Sequence, residues 1–225
     1  MGCGKELPQD AAFCSFCGRQ TNLTSQQVAT TENTSFVSTG TTGTSALLNT
    51  NDLVLTKKIL SLREHYDIQD RNGMKIGEGD GNFVQVPAKF VVKEITDTST
   101  MKEVMHIDGK VLSLRHQFTL YDASGNSLGE LKKKIAKLIG QEYWLELNGK
   151  ELMRIYGKFT QHDYQMSING QQVAQVHRQW VSINNQFDVS IMGNVDPRIV
   201  IGSAIVIEHL EITQGQGSGF RINSI

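Results

Sequence analysis

Three thiols near the start of the chain carry the clearest chemistry. Cys14-Ser15-Phe16-Cys17-Gly18 sets two cysteines on a tight knuckle, and Cys3-Gly4-Lys5 precedes it. Two thiolates at this spacing reach one tetrahedral ion, and the glycine relaxes the turn. The chain has three cysteines, all within its first 17 residues. A disulfide framework would use an even number spread through a domain, so metal ligation in a reducing, cytoplasmic compartment is the expectation. A second candidate is the run Lys132-Lys133-Lys134 with Lys137. Such a run suits anionic lipid headgroups, at up to about 1 kcal/mol per basic group near a charged membrane. It equally suits a solvated strand face on which lysine discourages edge pairing.

Other chemistry finds no support. The six histidines, at 65, 106, 116, 162, 177 and 209, show no metalloprotease spacing. No nucleophile elbow, phosphate-binding loop or dinucleotide fingerprint occurs. Asp122-Ala123-Ser124-Gly125-Asn126 resembles a calcium loop only loosely, and a turn explains it. A non-enzymatic protein is expected. The formal net charge is −1. Lys5 and Arg19 against Glu6, Asp10 and Glu32 precede Asn51, which leaves 20 basic and 20 acidic residues beyond it. A neutral body has no global field for nucleic acid, so anion binding must come from a local patch. No secretory signal opens the sequence. The longest apolar run, Ile199 to Ile207, falls far short of the roughly 18 residues a membrane span needs.

The elements that would position these groups are legible in repeats and turns. Lys58 to Gly73 reads KILSLREHYDIQDRNG and Lys110 to Gly125 reads KVLSLRHQFTLYDASG. Tyr66 matches Phe118, Arg63 matches Arg115, and Asp70 matches Asp122. The repeated arginines point to a structural task, such as pairing with a carboxylate. Gln179 to Val189 echoes the pattern more weakly, with Ser182 and Phe187 in the matching places. Self-similarity of this kind marks repeated supersecondary units. Asn72-Gly73, Asp108-Gly109, Asn148-Gly149 and Asn169-Gly170 predict tight primed hairpin turns. Between them, Tyr143 to Leu147 and Tyr164 to Ile168 alternate at period two. Many short antiparallel strands predict a barrel or a sandwich. Thr21 to Thr50 is about half Ser and Thr with Glu32 as its one charge, the composition of a flexible linker. Asp196-Pro197 reads as a helix start. The run after it is apolar on every side and rich in β-branched residues, which favours a strand. The two signals nearly balance, and the cap tips them toward helix.

The quoted segments, with DPRIVIGSAIVIEHLEI near the end, resemble the LURP-one-related proteins, in the superfamily of tubby C-terminal domains and phospholipid scramblases. The resemblance covers roughly Asp52 to Ile212. It implies a 12-stranded antiparallel barrel around one central apolar helix, which would begin at Asp196. The thiols resemble a short zinc ribbon, whose pattern Leu7, Pro8, Ala12 and Phe13 also fit. That resemblance implies zinc held by Cys3, Cys14 and Cys17. Its first knuckle lacks a cysteine, which would lie upstream of Met1 or be replaced by water, a free histidine or the Gly2 amine. The expected organisation is a ribbon at 1–18, a linker at 19–51, a barrel at 52–214 and a flexible tail at 215–225. The expected function is cytoplasmic binding or scaffolding with a protein partner. The rivals are a scramblase-like or phosphoinositide-type lipid module using Lys132, Lys133, Lys134 and Lys137, and a nucleic-acid-associated ribbon.

Overall fold

Alternating burial along short strands, with tight turns between them, closes the chain into a barrel. A computed structural model describes residues 45–58, 63–82, 87–96, 99–112, 115–134, 141–158, 163–180 and 185–215. A short helix, α1 (Ala46–Asn49), leads into twelve strands. These are β1 (Asp52–Lys58), β2 (Glu64–Asp70), β3 (Lys75–Gly81), β4 (Lys89–Ile95), β5 (Met101–Leu112) and β6 (Arg115–Asp122). The remainder are β7 (Ser127–Lys133), β8 (Gln141–Leu147), β9 (Lys150–Lys158), β10 (Asp163–Ile168), β11 (Gln171–Trp180) and β12 (Asn185–Ile191). Each pairs with its sequence neighbours in an antiparallel ladder, and β1 pairs with β12 to close the ring. Closure leaves no free sheet edge. The last element, α2 (Pro197–Gly215), fills the lumen. The expected 12-stranded barrel with a central helix is the fold observed.

The cap that tipped the helix reading is present. The Asp196 carboxylate accepts the Arg198 backbone N–H at 2.9 Å, and Pro197 occupies the first turn. From Ile199 to Leu210 the helix is buried on every side, so β-branched residues that would crowd an exposed helix fill the lumen instead. Gly202 permits a close approach to the wall. A Cβ there would stand 2.7 Å from Met105 Cε and 2.8 Å from a Leu120 methyl.

The repeats are hairpin units. Gly73 N–H and Gly125 N–H each bond the carbonyl three residues back, at 3.0 Å. In each turn the aspartate Oδ1, of Asp70 or of Asp122, accepts two further backbone N–H groups at 2.8–2.9 Å. The turn reading of Asp122 to Asn126 therefore holds. The matched aromatics Tyr66, Phe118 and Phe187 all face inward and are buried.

Two turn expectations need correction. Asn148-Gly149 and Asn169-Gly170 form the two-residue turns expected, with both central φ values positive. Asn72-Gly73 instead lies in a wider turn, because Asp70 captures the Asn72 and Met74 N–H groups and only Gly73 takes positive φ. Asp108-Gly109 is no turn at all, since both residues lie inside β5. There Gly109 N–H bonds the Ala88 carbonyl at 2.8 Å, and a Cβ would sit 2.9 Å from that oxygen. Close backbone approach, not positive φ, selects glycine at this position.

The packed body also begins before Asp52. Ser45 caps α1 through a 3.2 Å bond to Leu48 N–H and bonds Glu94 on β4, and Leu47 is fully buried. The end of the segment expected as linker is thus docked on the barrel.

Candidate functional site

The chain reverses direction at every strand, so turns gather at two ends of the barrel. Even-to-odd turns share the end where α2 begins. The other end receives the last turns of α2, and there the inward-facing positions change from apolar to charged. On β1 the inward series Leu53, Leu55 continues to Lys57, and on β2 the series Ile68, Tyr66 continues to Glu64. On β11, Ala174 and Val176 are followed by Arg178. The helix meets them with Glu208, His209 and Glu211.

Two linked groups result. In the first, Glu64 is bonded by His209 Nδ1 at 2.8 Å, by the Tyr66 hydroxyl at 2.9 Å and by Lys57 Nζ at 3.3 Å. Burial pushes the Glu64 carboxyl up, but the His209 bond, the Lys57 charge and the Tyr66 hydroxyl outweigh it, so it sits below the usual range. The His209 ring stands edge-on to Phe90 at 5.2 Å and to Phe118 at 5.8 Å. In the second, Arg178 reaches Glu211 at 3.3 Å and Glu208 at 3.5 Å, with its guanidinium over the Phe187 ring at 5.6 Å. Asn185 donates to Glu208 Oε1 at 3.2 Å. Burial raises both helix carboxyls. Glu211 is pushed up to about 7 despite the opposing charge of Lys133.

The lysine run does not form one patch. Lys132 faces outward and pairs with Glu130 at 3.0 Å and with Glu146. Lys134 pairs with Glu142 at 3.0 Å. Lys133 turns inward, over the Tyr143 ring at 5.6 Å and toward Glu211, and burial lowers its pKa. This is the alternation a strand imposes on neighbouring residues. Lys137 lies outside the described residues, as do Cys3, Cys14 and Cys17. Among the described residues no cluster of three or more His, Cys, Asp or Glu side chains is arranged to hold a metal. None of their helices is long and apolar enough to cross a membrane. Arg63 precedes β2 and Arg115 opens β6, so the repeated arginines hold equivalent positions.

Sequence reasoning missed the interior charges. The signal was available: Glu208, His209 and Glu211 belong to a helix with no solvent face, so each needs a partner from the wall.

These features define the class: a closed antiparallel barrel of twelve strands, its lumen filled by a C-terminal helix. No family model matches the chain, and no curated protein matches it. A protein from Arabidopsis thaliana, solved by X-ray crystallography, is similar in fold. The two share 13% identity with a TM-score of 0.50, over 74% of this chain and 99% of that one. At that identity the likeness concerns the fold alone.

Proposed function

We propose a cytoplasmic, non-enzymatic binding or scaffold protein, built as a tubby-like, LURP-one-related barrel preceded by a zinc ribbon. The observation that carries this reading is the filled lumen. With Ile199 to Leu210 buried, the interior is a packed core, and macromolecular partners must meet the outer wall or the ends. The order of the repeat motifs supports the family reading, and the likeness in fold supports the barrel alone.

The lipid alternative is weakened by the pairing of Lys132 and Lys134, since an ion-paired lysine offers little net field. Flotation with neutral and with anionic liposomes tests it. Equal, low retention by both is expected. Replacing Lys132, Lys133, Lys134 and Lys137 by Gln should lower the melting temperature, since surface pairs contribute up to about 1 kcal/mol each, while leaving retention unchanged. Salt-sensitive retention by anionic liposomes alone, lost in that variant, would restore the lipid reading.

The ribbon is proposed to bind one zinc per chain through Cys3, Cys14 and Cys17. A segment this small has no core of its own, so metal would supply its folding energy. Metal analysis under reducing conditions should find zinc. Replacing Cys14 and Cys17 by Ser should remove it and leave the barrel's melting unchanged. Absence of zinc in protein extended upstream to include a fourth ligand would end this proposal.

A further inference from the structure

Three methionines are exposed where the fold gives them no packing task. Met74 is 61% exposed, Met192 57% and Met101 44%. Among the described residues, the other large hydrophobic exposed to this degree is Tyr156, on the outer wall. The remaining described methionines, Met105, Met153 and Met166, are at most 1% exposed and belong to the core. The three exposed residues share the end of the barrel where α2 begins. Met74 lies in the β2–β3 turn, Met101 opens β5 and Met192 follows β12. The strands from β12 through β1 to β5 are consecutive around the ring, so the three occupy one arc of that rim.

The backbone at these positions is held without help from the side chain. Met74 N–H donates to Asp70 Oδ1 at 2.8 Å, and its carbonyl accepts the Asp70 N–H at 2.9 Å. The matching turn of the other repeat makes the same two bonds, at 2.8 and 2.9 Å, with exposed Asn126 in the place of Met74. That turn therefore does not require an apolar residue. Met192 N–H bonds the Val173 carbonyl at 2.8 Å, and Met101 pairs with Ile95 through the ladder. A side chain left in water contributes little burial energy. What separates methionine from any other exposed apolar residue is its thioether sulfur, which two-electron oxidants attack.

We infer that Met74, Met101 and Met192 form a reversible oxidation site, at which hydrogen peroxide converts the thioethers to sulfoxides and turns this end of the barrel from apolar to polar while the core stays closed. In each step a sulfur lone pair takes one peroxide oxygen. The S–O bond forms as the O–O bond breaks, and sulfur loses two electrons. The second oxygen leaves as hydroxide and takes the proton of the transferred oxygen to become water. The sulfoxide is polar and is reduced by dedicated reductases. The inference needs only exposed thioethers over a packed core, so it stands independently of the scaffold reading.

The test treats the full chain with hydrogen peroxide and follows each methionine by peptide mass spectrometry. Met74, Met101 and Met192 should react about a hundredfold or more faster than Met105, Met153 and Met166, which react only when the barrel opens. A variant carrying Met74→Leu, Met101→Leu and Met192→Leu, treated alike, accounts for Met1 and the three cysteines and nearly conserves volume. On a hydrophobic-interaction column the oxidised protein should elute earlier by a margin that the variant lacks. Its melting temperature should stay within about 4 °C of the variant's. Methionine sulfoxide reductases of both stereospecificities, with dithiothreitol, should restore the retention, the dithiol becoming a disulfide and the oxygen leaving as water. Any of the three reacting as slowly as the core methionines would overturn the inference. So would an equal change in retention in the variant, a failure of the reductases to reverse it, or a larger fall in melting temperature than the variant shows.

Discussion

Ile205→Asp and Ala204→Glu are expected to yield insoluble or molten protein. Ile205 is fully buried at the centre of α2, and Ala204 is buried beside it. A carboxylate at position 205 would replace a fully buried apolar side chain and be cut off from water, a cost of several kcal/mol against a total stability of about 5–15 kcal/mol. Position 204 faces a cavity that already holds two acidic groups, so a third adds repulsion to desolvation. Ile205→Val removes one methylene and should cost only about 0.5–1.5 kcal/mol, which separates loss of volume from burial of charge. Soluble yield, near-ultraviolet circular dichroism and the cooperativity of melting provide the readout. Both acidic variants remaining folded with native cooperativity would mean that α2 does not form the core.

Stability is expected to fall as pH rises from 5 to 8. Burial pushes Glu211 up to about 7 in the folded protein, against an ordinary carboxylate value of 4.5. A carboxyl raised by folding favours the folded state fully below its unfolded pKa. That contribution is lost as pH rises through the folded pKa, so the window runs from about 4.5 to about 7. The shift corresponds to at most about 3 kcal/mol. Glu208 is shifted in the same direction and adds to the slope. Glu64 is shifted the other way, so its contribution is present above its unfolded pKa and lost only as pH falls below it. Urea midpoints should therefore be higher at pH 5.5 than at pH 7.5, and Glu211→Gln should flatten the difference. An unchanged slope in that variant would mean that Glu211 does not carry the effect.

These two expectations differ in how far the sequence foretold them. The helix was legible because Asp196-Pro197 is a local signal that tips the balance against the β-branched run after it, and the family resemblance supplied the enclosing barrel. The hairpin units were legible because Asp70 and Asp122 recur at the same place in the repeats, and each aspartate bonds only its own turn. The charge cluster was not legible, since its partners meet only through the closed barrel. Glu64 and His209 are 145 residues apart, and Arg178 and Glu208 are 30 apart. Asp108-Gly109 misled for a related reason. The dipeptide has turn chemistry, but its neighbours Ile107 and Phe118 are inward-facing wall residues, and pairing with β6 carries β5 straight through. For the lysine run the solvated strand face is the reading that alternation favours: consecutive lysines on a strand end on opposite faces, so density in sequence does not become density on a surface.

Native-state hydrogen exchange of the α2 amides tests the central claim most directly. A helix that is the core of a closed barrel cannot open without opening the wall, so Val200 to Ile207 should exchange only through global unfolding. Their protection should equal the free energy of unfolding measured by urea and should decline with denaturant at the same slope. Exchange of these amides through a smaller, denaturant-independent opening would contradict the account, because α2 would then be a peripheral element and the lumen available for something else.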